Sequence, residues 1–82
     1  MLKQEHLEFL ADELGVVVES VQHILATDIR ALRNMCSDIT MEEYELEESD
    51  YDKYDPVRLT FAEDIQVILD GILEKVSNPI NG

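Results

Sequence analysis

The sequence predicts an all-α fold, a small three- to four-helix domain, and three observations predict it. Apolar residues recur at three- and four-residue steps in three separate segments. Gly15 directly follows the first of these, where a helix wants a left-handed C-terminal residue. Thr60 and Glu63 stand at capping-box spacing just as the last segment begins. The expected architecture is a helix–Gly–helix corner near the N-terminus, then an acidic connector, then a C-terminal amphipathic helix. The chain of 82 residues is read as one domain, 1–82. Residues 1–37 form the helical hairpin or corner, 38–59 the connector and 60–77 the last helix. A domain this small buries a modest fraction of its surface and is marginal unless it associates.

The first helix is expected over residues 3–14. Leu7, Leu10 and Leu14 lie at helical spacing with Phe9 beside them, and Glu5, Glu8, Asp12 and Glu13 take the other face. The second is expected from Val16 or Val18 to about Ser37, carrying Val18, Val21, Leu25, Ile29, Leu32 and Cys36 on one continuous face. Ile24 and Met35 broaden that face. Three β-branched residues at 16–18 favour an extended start, and the long periodicity after them decides for helix. Asp28 and Arg30 fall outside the stripe. The last helix repeats Phe61, Ile65, Ile68, Ile72 and Val76, widened by Leu69 and Leu73. Asp64 and Lys75 complement its dipole at either end, and Ser77-Asn78-Pro79 stops it. Gly71 in its interior costs about 1 kcal/mol against alanine and would suit a close helix–helix approach.

The connector is where the charge concentrates. Residues 40–56 hold eight carboxylates and one lysine, a formal −7 of the chain's −13. Three tyrosines stand among them. Thr40 and Glu43 make a second capping-box pair, which would start a short helix through Glu48, while residues 44–47 also alternate like a strand. Glutamates at this density repel one another and weaken either structure. Residues 49–56 read as an ordered turn or a loop.

Composition narrows the function classes. Nineteen acids face six bases, and such a surface is repelled by nucleic-acid phosphates and anionic membranes while attracting basic proteins. The single cysteine allows no internal disulfide, the N-terminus has no signal-peptide layout, and no apolar run approaches a membrane span. A cytoplasmic setting is expected.

No catalytic pattern emerges, so no enzyme is expected and no cofactor. Cys36 lies on the apolar stripe as a buried thiol would, and the three glycines are isolated at 15, 71 and 82. His6, His23 and Cys36 lack the spacing of a zinc set. Asp50, Asp52 and Asp55 begin like an EF-hand loop. The pattern then fails, with Tyr54 at the fifth position, Asp55 at the sixth, where glycine is required, and Phe61 at the twelfth. No metal site is expected.

One local motif carries a resemblance. Residues 10–25 resemble the helix-turn-helix of bacterial and phage regulators: a small residue at Ala11, the turn at Gly15, and apolar residues at Leu10, Leu14, Val16, Val21 and Ile24 in register. The resemblance implies that Val17, Glu19, Ser20, Gln22 and His23 would face a major groove. That face offers no lysine or arginine before Arg30, so the motif reads as a scaffold.

The expected function is therefore a small acidic interaction protein. It would bind and inhibit or regulate a basic, nucleic-acid-binding protein, with a homodimer among the forms open to it, and would touch neither nucleic acid nor membrane directly. Size and charge compare with phage inhibitors of restriction or CRISPR machinery and with immunity proteins for nuclease toxins. The candidate partner-binding residues are Glu42, Glu43, Tyr44, Glu45, Glu47, Glu48, Asp50, Tyr51, Asp52, Tyr54 and Asp55. Carboxylates would stand in for phosphates and tyrosines would supply contact area. The alternatives are a dimeric helix-turn-helix transcription regulator and a self-associating helical assembly module.

Overall fold

In the computed structural model the chain forms four α-helices and one 3-10 helix: α1 Gln4–Leu14, α2 Val18–Thr27, α3 Ile29–Tyr44, the 3-10 helix Glu48–Lys53, and α4 Pro56–Ser77. The structure describes residues 2–77, with only the backbone of Val76 and Ser77, and no strand occurs among them. The all-α expectation holds.

Each helix boundary has a chemical cause. Gly15 ends α1 at φ 70°, and a paired closure follows: Gly15 N–H donates to the Asp12 carbonyl and Val16 N–H to the Ala11 carbonyl, 3.3 and 3.0 Å. Val17 is extended and Val18 starts α2, so the β-branched run supplies the corner and not a strand. The corner between α1 and α2 is as expected.

The single helix expected up to Ser37 is instead two. Asp28 breaks it at φ −153°, ψ 68°. Its carboxylate accepts from Ala31 N–H at 3.3 Å and so caps α3, while the Thr27 hydroxyl turns back to the His23 carbonyl at 2.8 Å. Helix α3 then runs through Ser37 into the acidic stretch. Thr40 is an interior residue whose hydroxyl donates to the Cys36 carbonyl, not the N-cap of a new helix. No short helix runs from there through Glu48, because α3 closes at Tyr44.

Helix α4 likewise begins a turn before Thr60. Pro56 takes its first position, and the Asp55 carboxylate accepts from Val57 and Arg58 N–H at 3.1 and 3.0 Å. The Thr60 hydroxyl donates to the Pro56 carbonyl and caps nothing.

The core draws on every α-helix: Leu10 and Ala11 from α1, Val21 from α2, Leu32, Cys36 and Ile39 from α3, and Ala62, Ile65 and Leu69 from α4. On α4 the buried line also includes Leu59, so the seam lies slightly off the predicted stripe. Phe61 sits at its flank, stacked on Phe9 of α1 with ring centroids 5.2 Å apart and edge-on to the buried His6 at 5.9 Å. The largest contact is α3 against α4. The pairs Arg33–Asp70 and Tyr44–Glu63 place these two helices antiparallel. The Val76 side chain and the Asn78-Pro79 stop lie outside the described residues.

Cys36 is fully buried at this centre, and burial, aided by the charge of Glu13, pushes its thiol from the usual 9.0 up to about 11. The folded state keeps the proton while the unfolded chain loses it. Stability contributed by the neutral thiol is therefore present below pH 9 and lost between about pH 9 and 11. Wild type should lose stability relative to Cys36→Ala across that window in denaturant titrations, and at pH 8 a thiol reagent should label Cys36 only through unfolding.

Gly71 is exposed and a Cβ built on it meets nothing within 4 Å, so no close helix approach occupies it. Gly71→Ala should raise stability by about 0.5–1 kcal/mol and Tm by about 2–8 °C in thermal unfolding. A lowered Tm would mean that another surface packs there.

Candidate functional site

The acidic stretch is organised by a residue outside it. Arg58, in the first turn of α4, reaches the place where the C-terminal ends of α1 and α3 meet. Its Nε and Nη2 donate to the two oxygens of Glu13 at 3.1 and 2.9 Å, a forked pair. Nη1 donates to Glu43 at 2.7 Å, and Nη2 also reaches Glu42 at 3.1 Å. The hydrogen bond with Glu13 does most to raise the guanidinium's pKa, burial opposes it, and the bonds to Glu43 and Glu42 add to it.

Glu43 is the centre of this clamp. Only 8% of it is exposed. One carboxylate oxygen takes Arg58 and the other accepts from the Asp55 N–H at 2.9 Å, which fixes the approach to α4. No buried side-chain polar atom lacks a partner among the described residues.

The eleven residues singled out in the sequence therefore divide. Glu43 and Asp55 hold the fold together, and Glu42 adds an exposed pair with Arg58. Asp50 is 3.5 Å from Lys53 in an exposed pair. The Tyr44 hydroxyl donates to Glu63 at 2.9 Å, which bridges α3 to α4 and raises the phenol's pKa. Glu45, Glu47, Glu48 and Asp52 are exposed, and no hydrogen bond or ion pair engages their side chains. The three tyrosines come together. Tyr44, Tyr51 and Tyr54 are 65%, 63% and 44% exposed, and with Leu46 and Glu43 they wall an open groove of about 360 Å³. The 3-10 helix carries Tyr51 into position, and the Tyr54 N–H closes its end on the Tyr51 carbonyl at 3.1 Å.

Sequence reading missed Glu13, Arg58 and Glu63. The available signal was Arg58 itself: apart from Lys53 it is the only cation between Arg33 and Lys75, and it directly follows the acidic stretch. The partner Glu13 lies 45 residues away, beyond any local pattern.

On the helix-turn-helix-like corner, Val17, Glu19, Gln22 and His23 are exposed and Ser20 is half-buried. Gln4, Glu8 and Asp12 share their surface, and α2 has no lysine or arginine. Leu14 and Val16, expected among the inward apolar positions, are exposed, whereas Leu10 and Val21 are fully buried. The Nδ1 of His6 accepts from the Lys3 N–H at 3.0 Å. Among the described residues no group of three or more His, Cys, Asp or Glu is placed to hold a metal, and no helix is long and apolar enough to cross a membrane.

Burial ranks the clamp. Arg58→Gln should lower stability by about 2–4 kcal/mol, because it strands the buried Glu43 charge beside Glu13. Glu43→Gln should cost about 1–3 kcal/mol, and Glu42→Gln, on an exposed side chain, less than about 0.5 kcal/mol. Urea unfolding measures the order, and a Glu42 effect equal to that of Glu43 would contradict it.

Comparison of the chain with protein-family models, curated proteins and solved structures finds no match.

Proposed function

We propose that this chain is a small acidic interaction protein that binds a basic protein, one that itself binds nucleic acid, and inhibits or regulates it. The observation that carries the reading is the tyrosine groove, set in a stretch of chain with uncommitted carboxylates. Among the described residues Glu45, Glu47, Glu48 and Asp52 have no side-chain partner, and each lies within two residues of the groove-lining Leu46 or Tyr51, beside tyrosines that are 44–65% exposed. Aromatic contact area with a charged rim is the composition of a protein interface, and the rim's sign selects a basic partner. Inhibition follows if the surface covered on the partner is its phosphate-binding one, since the carboxylates then occupy phosphate positions.

The clamp sharpens the site. Glu42, Glu43 and Asp55 support the surface, and the contacting set is Tyr44, Glu45, Glu47, Glu48, Asp50, Tyr51, Asp52 and Tyr54. A second reading, a self-associating module, draws support from a mainly apolar groove of about 500 Å³ lined by Leu2, Leu7, Leu25, Ile29 and Ile72. Sedimentation that stays monomeric across a wide concentration range would remove it.

The partner reading is tested with two variants of equal charge change. One carries Glu45→Gln, Glu47→Gln, Glu48→Gln and Asp52→Asn. The other changes Glu5, Asp12, Glu19 and Asp38 to their amides. Wild type and the second variant should retain basic proteins from the source cell's extract at about 0.05 M salt and release them at about 0.5 M, while the first variant loses them, chiefly through slower association. Equal loss from both variants would contradict a localised site, and no retention by wild type would contradict the reading itself.

A further inference from the structure

We infer that the groove between Tyr44, Tyr51 and Tyr54 receives an arginine side chain of the basic partner. The inference rests on the partner reading above and names the chemistry that the site selects.

Three features point to arginine. The groove is walled mainly by three tyrosine side chains and the aliphatic Leu46, which suit an occupant with a flat or apolar surface. Glu43 lines the groove, and the charged residues next to its walls in the chain, Glu45, Glu47, Glu48 and Asp52 against Lys53, are net acidic, so the favoured occupant is a cation. A guanidinium meets both demands: it is planar, weakly hydrated, stacks on aromatic faces and forks onto carboxylates, whereas an ammonium is a compact and strongly hydrated point charge. The groove volume of about 360 Å³ falls low in the roughly 300–1,000 Å³ range of small-ligand sites. It is also open to solvent along the exposed tyrosines, which suits a side chain projecting from a polypeptide.

The fold already pairs one guanidinium, that of Arg58, with carboxylates. Glu43 borders the groove, yet both of its oxygens are engaged, by Arg58 and by the Asp55 N–H. A second guanidinium would therefore pair with the uncommitted carboxylates nearest the groove in the chain, Glu45, Glu47, Glu48 and Asp52. The Tyr44 hydroxyl is held by Glu63, which fixes one wall before binding.

Tyrosine emission reads this groove directly. The chain has no tryptophan, and all three of its tyrosines line the groove. Hexaarginine and hexalysine, equal in charge, are titrated against the full chain at about 0.15 M salt, where long-range attraction is screened. Hexaarginine should change tyrosine emission saturably and bind several-fold more tightly than hexalysine. Tyr51, exposed and free of side-chain hydrogen bonds, is the position to vary. Tyr51→Phe should bind as wild type, while Tyr51→Leu and Tyr51→Ala weaken hexaarginine by about two- to fivefold. Unfolding curves that match wild type exclude a folding defect in these variants. Equal binding of the two peptides, unchanged emission, or leucine binding as well as phenylalanine at position 51 would overturn the arginine assignment. The partner reading would survive such a result if the extract proteins were still retained.

Discussion

One guanidinium joins three parts of this chain. Arg58 binds Glu13 at the end of α1 and both Glu42 and Glu43 at the end of α3, and it does so from the first turn of α4. Each group is badly placed on its own helix. Carboxylates at the C-terminal end of α3 face the negative end of its dipole, and a cation in the first turn of α4 faces the positive end. Set against each other across the connector, they reverse both penalties. The apolar seam of α3 and α4 brings the two ends together, and the clamp fixes their register where that seam gives out.

The clamp also divides the acidity by its place in the fold. The acidity of residues 40–56 reads as one property in the sequence, and in the fold it is not one. Part of it neutralises Arg58, part caps α4, and part has no counterpart within the molecule. Within residues 40–56 the uncommitted part is Glu45, Glu47, Glu48 and Asp52, close in the chain to the groove-lining Tyr44, Leu46 and Tyr51. That division separates carboxylates engaged within the fold from carboxylates left exposed to solvent. The helix-turn-helix-like corner, by contrast, gathers Glu8, Asp12 and Glu19 on one surface whose lining residues include no lysine or arginine.

Much of the fold was legible because periodicity reports which face is buried. Leu10, Val21, Leu32, Cys36, Ile65 and Leu69 were all on predicted stripes and all are buried. The break at Asp28 was not legible from that signal, since the stripe passes through Leu25, Ile29 and Leu32 without a change of step. Periodicity records a face, not the continuity of a helix. The start of α4 was present as Asp55-Pro56, a cap followed by a first-turn proline, but the Thr60–Glu63 spacing offered a competing start. In the candidate site the sequence marked one stretch and assigned all its acids one role. It could not tell Glu43 from Glu45, because what separates them is burial against α4 and contact with Arg58, set by residues distant in the chain.

The central claim is that Arg58 and Glu43 act as a coupled pair on which the acidic surface is built. A double-mutant cycle on these two residues, Arg58→Met and Glu43→Leu singly and together, measures that coupling through urea unfolding. A coupling free energy above about 1 kcal/mol is predicted, with the double variant more stable than the two single losses would sum to. Additivity within about 0.3 kcal/mol would contradict the account, because the two side chains would then stabilise the fold independently.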